Sequence, residues 1–240
     1  ARTKRWTVQV GGEIDGSPIR FTMDCIGPGG NPSKTVVAFA SSNGNIYFLD
    51  PNTGAELFKT AVGATGAGVR FDPINQGFRV TVPTITGVAG LTIVYNVDPD
   101  ARMCKFMVGL TYAWPTTSKV TSRVNCPDTS SCVAGTEDGT LVGFHPLVYS
   151  TLSFSAALGA GAIRVEPLNW DASQGRRYAV ATEGGKVAVV DGQGSVVWLE
   201  ANGGSGGGKP ARLRYESPLA HQTVKLFVGG GSALRAYCTD

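Results

Sequence analysis

A repeat of about 48 residues runs through the sequence and limits the folds that the chain can adopt. Five stretches share one order of strand-like and turn-like residues, and an aromatic residue recurs on their last strand, at Trp6, Phe58, Phe106, Phe154 and Trp198. The spacings between consecutive members are 52, 48, 48 and 44 residues. If the two chain ends are joined, the spacing from Trp198 to Trp6 is also 48 residues. Arrays of one supersecondary unit have this signature. The repeats use all 240 residues, so we predict a single domain over residues 1–240 and no second domain.

Each repeat reads as short strands joined by tight turns. In residues 35–63, one apolar strand ends before Asn43-Gly44, a second ends at Asp50, and a third carries Phe58. Asn-Gly is a hairpin signal, and Asp followed by Thr-Gly favours a turn that needs a positive φ. The same order recurs in residues 78–108, 132–156, 178–199 and 224–240.

The last of these stretches stops before its outer strand, whereas the chain begins with a segment of that kind. Residues 4–10 carry Trp6 and have no strand before them. We therefore predict an all-β fold: a five-bladed β-propeller with four-stranded antiparallel blades, whose N-terminal strand closes the last blade. Closure removes the exposed sheet edges between the first and last blades. The alternative is an open sandwich or two stacked barrels.

Composition and charge exclude several classes of protein. Charged residues make up 16% of the chain and hydrophobic residues 42%, whereas disordered chains are rich in charge and poor in hydrophobic residues. No apolar stretch approaches the ~18 residues of a membrane-spanning helix. The net charge is +3, with no basic run beyond residues 2–5, so nucleic acid is not an expected partner.

Cys126 and Cys132 bracket a five-residue loop rich in turn formers, and this spacing predicts a disulfide between them. The alternative is two free thiols in a cytosolic protein. Sequence leaves the pairing of Cys25, Cys104 and Cys238 open. No histidine lies near these cysteines, so no metal site is expected. A disulfide favours an extracellular or cell-surface location.

Residues 39–63 and 180–199 resemble the quinoprotein-like repeat of pyrroloquinoline-quinone (PQQ)-type β-propellers. That repeat runs as a strand, a small-polar-Gly turn, a strand ending in Asp, Thr-Gly, and a strand bearing Trp. The resemblance implies the propeller fold. The cofactor-dependent enzymes of the family have eight blades and adjacent cysteines, whereas this chain has five repeats and no Cys-Cys pair. No cofactor is therefore expected, and relatives without the cofactor are commonly scaffolds or binding proteins.

An arginine recurs on the expected innermost strand of every repeat, and a polar or acidic residue follows two positions later. Because residues two apart on a strand share a face, each set should form a ring near the axis. The arginine forks would suit a carboxylate, sulfate or phosphate ligand; alternatively, they pair with neighbouring blades and lock them together. The arginines are Arg20, Arg70, Arg123, Arg164 and Arg214, and their companions are Thr22, Asp72, Asn125, Glu166 and Glu216.

The function class that these features favour is a non-catalytic binding or structural module, without an assigned catalytic residue. It would be a subunit or scaffold of an extracellular or surface assembly, including a homopolymeric filament, with proteins or further copies as partners. One alternative is a lectin with glycan sites between blades, in which Trp114 and Trp170, expected in loops, stack on a sugar. Another is a glycoside hydrolase using paired carboxylates. Its candidates are Asp24, Asp72, Glu166, Asp171 and Glu216.

Overall fold

The computed structural model describes residues 5–27, 32–74, 77–98, 100, 103–146, 151–172, 175–201, 213–216, 224–230 and 233–239. For residues 110–111, 170–172 and 201, and for those from 213 onward, it describes the backbone alone. Every regular element in these ranges is a β-strand, which confirms the all-β class. The same ranges hold no helix long and apolar enough to span a membrane. The chain divides into two compact units, Ala1–Ala113 and Trp114–Asp240.

The first unit contains the first two repeats, and each repeat supplies four strands. Strands are hydrogen-bonded in chain order within each repeat, and the pair Ala64 and Thr84 joins the two sets into one sheet. The first repeat comprises β1 (Ile19–Asp24), β2 (Ser33–Ala40), β3 (Gly44–Leu49) and β4 (Glu56–Ala64). The second comprises β5 (Arg70–Ile74), β6 (Gly77–Thr84), β7 (Gly87–Val97) and β8 (Cys104–Pro115).

An aromatic-rich core lies between the strands of these two repeats. Phe48 on β3 is fully buried there together with Val80 on β6 and Leu91 on β7. The predicted outer-strand residues Phe58 and Phe106 belong to the same core, and their rings stack with centroids 5.6 Å apart. The aromatic residues that mark the repeat in the sequence therefore bring the two repeats into contact.

The second unit contains the other three repeats. In the third, residues 120–126 join the sheet through isolated bridges, Val120 to Thr136 and Asn125 to Val133. The third repeat comprises β9 (Cys132–Gly135), β10 (Thr140–Phe144) and β11 (Leu152–Ala157), and the fourth β12 (Leu168–Ala172), β13 (Gly175–Ala181), β14 (Lys186–Asp191) and β15 (Val196–Ala201). The fifth comprises β16 (Leu213–Glu216), β17 (Val224–Gly230) and β18 (Ala233–Thr239). Four-stranded antiparallel blades thus match the first, second and fourth repeats, and the five-bladed ring stays a prediction.

The innermost strand of the fourth repeat is not the predicted one. Residues 162–167 form no strand, and β12 begins at Leu168. The backbone of the earlier segment is bonded elsewhere: Ile163 N–H donates to Thr136 O, and Ala162 O accepts from Glu183 N–H. Ile163 is completely buried in the core that the third and fourth repeats share. The apolar pattern of residues 162–167 therefore reflects packing between repeats and not hydrogen bonding within a sheet.

The turn between the third and fourth strands of a repeat has the same architecture in the first and fourth repeats. Asp50 Oδ1 accepts hydrogen bonds from Asn52 N–H and Thr53 N–H, and Gly54 ends the turn at φ +74°. In the fourth repeat, Asp191 Oδ1 accepts from two backbone N–H groups and Gly194 ends the turn at φ +89°. A positive φ favours glycine, so this turn chemistry explains the recurrent Asp and Gly.

Each of these glycines also contacts an aromatic side chain of the preceding repeat unit. A Cβ atom at Gly54 would lie 2.8 Å from Cδ2 of Trp6, and one at Gly194 would lie 2.6 Å from Cβ of Phe154. Trp6 also donates a hydrogen bond from Nε1 to Pro51 O at 3.0 Å. We call this arrangement the aromatic–glycine contact. Trp6 and Phe154 are both predicted outer-strand aromatics, so two members of that series occupy equivalent places.

The predicted N-terminal strand is absent as a strand over the described residues 5–10. These residues alternate between exposed and half-buried, as a strand would, and Trp6, Val8 and Val10 pack on Phe39, Tyr47 and Leu49. The segment is held by its side chains, and by Asn43 Nδ2, which donates to Val10 O. Sheet hydrogen bonding by residues 4–10 is thus not shown, and closure of the last blade stays a prediction.

We expect Gly54→Ala to lower the free energy of unfolding by about 1–3 kcal/mol more than Gly63→Ala, the range typical of overpacking. Gly63 is the matched control because it has φ +73° but nothing within 4 Å of an added Cβ, whereas Gly54 at φ +74° contacts Trp6. Both variants share the strain of a left-handed backbone, about 1–2 kcal/mol. Urea denaturation measures the difference. Equal losses would show that the contact with Trp6 contributes nothing.

Candidate functional site

In the first unit, the predicted arginines differ in their surroundings. Arg20 is exposed on β1. Arg70 on β5 donates through Nε to both carboxylate oxygens of Asp72 at 2.9 Å, and its Nη2 lies 2.8 Å from Oδ1. Asp72 is two residues along the same strand, so the pair shares one face, as predicted. The structure thus joins Arg70 to its own companion residue.

In the second unit, Arg123 joins two repeats. Its Nη1 lies 3.7 Å from Glu166 Oε2, and both side chains are about two-fifths exposed. Arg164 lies before β12 and not on a strand, and it pairs with Glu183 in the hairpin of its own repeat. Arg214 and Glu216 lie on β16, where the backbone alone is described. At Arg123 the structure therefore has a contact between neighbouring repeats, as in the alternative in which the arginines lock repeats together.

The two tryptophans proposed as sugar platforms are not in loops. Trp114 lies near the end of β8, is fully buried, and packs with its ring centroid 4.8 Å from that of Phe144. Its burial excludes it as a surface for stacking on a sugar. Trp170 lies on β12, opposite Arg177, and its side chain is outside the described residues. Both positions correct the sequence prediction, because a lone aromatic residue gives no local signal of burial.

The polar residues of segment 120–128 reach the fourth repeat at successive points. Thr121 Oγ1 donates to Ile163 O at 2.9 Å, and Asn125 Nδ2 donates to Pro167 O at 2.6 Å and to Asn169 Oδ1 at 3.1 Å. Thr121, Arg123 and Asn125 each contact the fourth repeat, so this segment packs along that repeat. The predicted companion residue Asn125 therefore acts in packing between repeats.

The predicted disulfide between Cys126 and Cys132 is confirmed, and it closes a loop around Asp128. Asp128 Oδ1 accepts hydrogen bonds from the N–H and hydroxyl groups of Ser130 and Ser131, at 2.7 to 3.2 Å. Asp128 Oδ2 accepts from Nη1 of Arg176, which lies on β13 of the fourth repeat. Arg176 Nη1 also donates to Ser131 Oγ at 2.6 Å. We call Asp128, Arg176 and the loop that the disulfide closes the inter-repeat latch.

The environment of Asp128 favours its ionised form. Burial alone would raise the pKa of this carboxyl, but the hydrogen bonds from Arg176, Ser130 and Ser131 outweigh burial and hold the pKa well below its ordinary value of 3.8. The sequence patterns do not predict this pair. An Asp followed by Thr-Ser-Ser signals a local turn, which could have marked Asp128. Nothing local marks Arg176 as its partner.

A second disulfide joins Cys25 to Cys104, which are 79 residues apart, and sequence analysis left it open. Cys25 follows β1 directly, and Cys104 is the first residue of β8. A parallel bridge between Ile26 and Asn96 brings the end of β1 beside β7. The cysteines therefore meet through long-range sheet contacts. The side chain of Cys238, on β18, lies outside the described residues.

An open pocket of about 250 Å³ lies on the third repeat. Hydroxyl-bearing and apolar side chains line it, and none of them is charged. Its lining includes Thr116, Thr117, Thr140, Val142, Leu152 and Ser155. In the ranges that the structure describes, His, Cys, Asp and Glu side chains form no group of three or more that could hold a metal ion.

No protein-family model and no curated protein matches the chain. Solved structures that are similar at low identity include the following three. BamB from Moraxella catarrhalis is 13% identical with a TM-score of 0.47, over 80% of this chain and 51% of that chain. BBS1N, solved in complex with ARL6DN, is 13% identical with a TM-score of 0.48, over 88% and 62%. Quinohemoprotein alcohol dehydrogenase ADHIIG from Pseudomonas putida HK5 is 12% identical with a TM-score of 0.45, over 70% and 34%.

The match thus spans between a third and about three fifths of the length of these proteins. BamB and the dehydrogenase are PQQ-repeat β-propellers, the family that the repeats resemble. All three TM-scores are below 0.5. The fold is therefore defined by the strand pairing of this chain and not by these similarities.

We expect Asp128→Asn to lower the Tm at pH 7 by about 2–4 °C, the shift that roughly 1 kcal/mol gives in a chain of this size. The folded-state pKa of Asp128 is below its ordinary value of 3.8, so the ionised carboxylate stabilises the fold above about pH 4. That stabilisation declines as the pH falls further. The Tm difference between wild type and variant should therefore shrink below pH 4.

Asp24→Asn serves as the control, because Asp24 is exposed at the end of β1 and forms no ion pair within the described ranges. It should leave the Tm at pH 7 unchanged. A Tm difference for Asp128→Asn that is constant from pH 7 to pH 3 would contradict the role of its charge.

Proposed function

We propose that the chain is a non-catalytic, five-bladed β-propeller module that binds other proteins or further copies of itself. It would serve as a subunit or scaffold of an extracellular or surface assembly. The observation that carries this proposal is the exposure of apolar side chains on two outermost strands, β8 and β15. Each strand lies at the end of its sheet and pairs with one neighbour among the described strands.

Both strands offer a backbone edge together with apolar surface. On β8, Met107 is 41% exposed and Val108 39%, and Met103, just before the strand, is 68% exposed. On β15, Val197 is 47% exposed and Leu199 49%. Unpaired N–H and C=O groups on a sheet edge accept an added strand, and the flanking apolar side chains supply the area that such an addition buries.

The surroundings of the candidate carboxylates support a non-catalytic role. Asp72 is paired with Arg70, and Glu166 lies beside Arg123. A glycosidase needs one carboxyl group to protonate the leaving oxygen and a second to act as base or nucleophile. Arginine side chains already engage these two carboxylates, and the two residues belong to different units of the chain. The two disulfides support an oxidising, extracellular setting.

Carbohydrate binding is the second candidate function, and the pocket on the third repeat favours it. Its lining combines hydroxyl-bearing residues, among them Thr117 and Ser155, with the apolar residues Val142 and Leu152. A neutral sugar would find hydrogen-bond partners and apolar surface in such a setting. A glycan array tests this candidate, and an absence of binding across a broad panel would remove it.

The filament form of the proposal uses the N-terminal segment. Residues 5–10 are extended and have no strand pairing, whereas the described sheet of the fifth repeat has three strands and ends at β18. If these residues add to β18 of the same copy, the ring closes. If they add to β18 of another copy, copies link head to tail, because the interface joins two different surfaces.

We expect wild-type protein to self-associate with rising concentration, and Met107→Lys and Leu199→Lys each to raise the dissociation constant at least about tenfold, or 1.4 kcal/mol. A buried lysine at a strand-addition edge would be costly. Ile85→Lys is the matched control, because Ile85 is 58% exposed but lies in the turn between β6 and β7. Sedimentation velocity measures the effect. A wild type that stays monomeric, or an equal effect of Ile85→Lys, would contradict association through these strands.

A further inference from the structure

We propose that the inter-repeat latch requires the disulfide between Cys126 and Cys132. The ion pair between Asp128 of the third repeat and Arg176 of the fourth would then form only in the oxidised protein. The two repeats already share an apolar core, with Val133 and Leu141 on one side and Tyr178 and Val190 on the other. The latch adds to that core a hydrogen-bonded ion pair between Asp128 and Arg176. This inference does not depend on the proposed function.

The loop explains why the latch needs the disulfide. Asp128 is 38% exposed and Arg176 23% exposed, and an ion pair so accessible to water contributes little when its partners must first be ordered. Asp128 belongs to a segment of five residues between the cysteines, none of which is in a strand. Closing that segment by a covalent bond removes part of the conformational freedom that the ion pair would otherwise have to overcome.

The disulfide also joins two pieces of backbone that both support the interface. Cys126 follows Asn125, whose amide donates to Pro167 O of the fourth repeat. Cys132 is the first residue of β9 and pairs with Phe144 on β10. Oxidation therefore fixes the segment that contacts the next repeat to the sheet of its own repeat. The loop that carries Asp128 is then anchored at both ends, and its carboxylate is held beside Arg176.

The chemistry is an ordinary thiol–disulfide exchange with a disulfide as oxidant. The two cysteine thiols lose two protons and two electrons as the Sγ–Sγ bond forms, and the S–S bond of a small-molecule or protein disulfide breaks to give two thiols. Cys126 is 4% exposed and Cys132 1% exposed in the folded protein. The bond is thus shielded once the repeats have packed, so its exchange with an external disulfide is slow and proceeds through local opening.

The test uses linkage between the ion pair and the disulfide in the full chain. If the disulfide strengthens the contact between Asp128 and Arg176, the contact must stabilise the disulfide by the same factor. Wild type and Arg176→Gln are equilibrated in glutathione redox buffers, the thiols are alkylated, and the oxidised fraction of each pair is read by mass spectrometry. We expect Arg176→Gln to lower the equilibrium constant for oxidation of Cys126 and Cys132 about fivefold or more.

Two controls belong to the same experiment. The disulfide between Cys25 and Cys104 lies in the other unit, and its equilibrium should not change. Arg20→Gln alters an exposed arginine on β1 of the first unit, and it should leave both equilibria unchanged. Equal oxidation of Cys126 and Cys132 in wild type and Arg176→Gln would overturn the proposal. So would a shift of both disulfides together, since that would report a general loss of stability.

Discussion

A contact between an aromatic side chain and a turn glycine of the next repeat couples the turns to the packing of neighbouring repeats at two places in the chain. At Gly54 and Gly194 the same few residues reverse the chain and leave the space that Trp6 and Phe154 occupy. A larger residue would strain the turn and fill that space at once. This double role explains why Asp and Gly recur together although the repeat length varies from 44 to 52 residues.

Burial of the middle strands on both faces is the second constraint. Every residue from Ile46 to Leu49 on β3, from Thr140 to Phe144 on β10, and from Val187 to Val190 on β14 is buried. Such strands read as continuous apolar runs and not as alternating ones. Strands buried on both faces leave little room for charged side chains, in agreement with the 16% charged residues of the chain. Polar groups are left to the segments between strands, where Asn125 and Asp128 connect neighbouring repeats.

Features set by neighbouring residues could be predicted from the sequence. The hairpin at Asn43-Gly44, the turn from Asp50 to Gly54 and the disulfide between Cys126 and Cys132 depend on residues a few positions apart. Features set by distant residues could not. Trp114 is buried by tertiary packing, and the partner of Asp128 lies 48 residues away. Residues 162–167 look like a strand because Ile163 is apolar, but Ile163 packs between repeats and its backbone N–H is bonded to Thr136.

The disulfide between Cys25 and Cys104 has a mechanical consequence. It lies across the first unit and encloses β2 to β7 within a covalent loop of 79 residues. Tension applied along the chain from outside this loop passes from one cysteine to the other through sulfur, so it does not extend the backbone of these strands. At about 3.4 Å per residue, roughly 270 Å of chain would stay unavailable for extension while the bond is intact. Under load, the first unit would therefore lengthen only outside the loop, and the strands within it would keep their pairing.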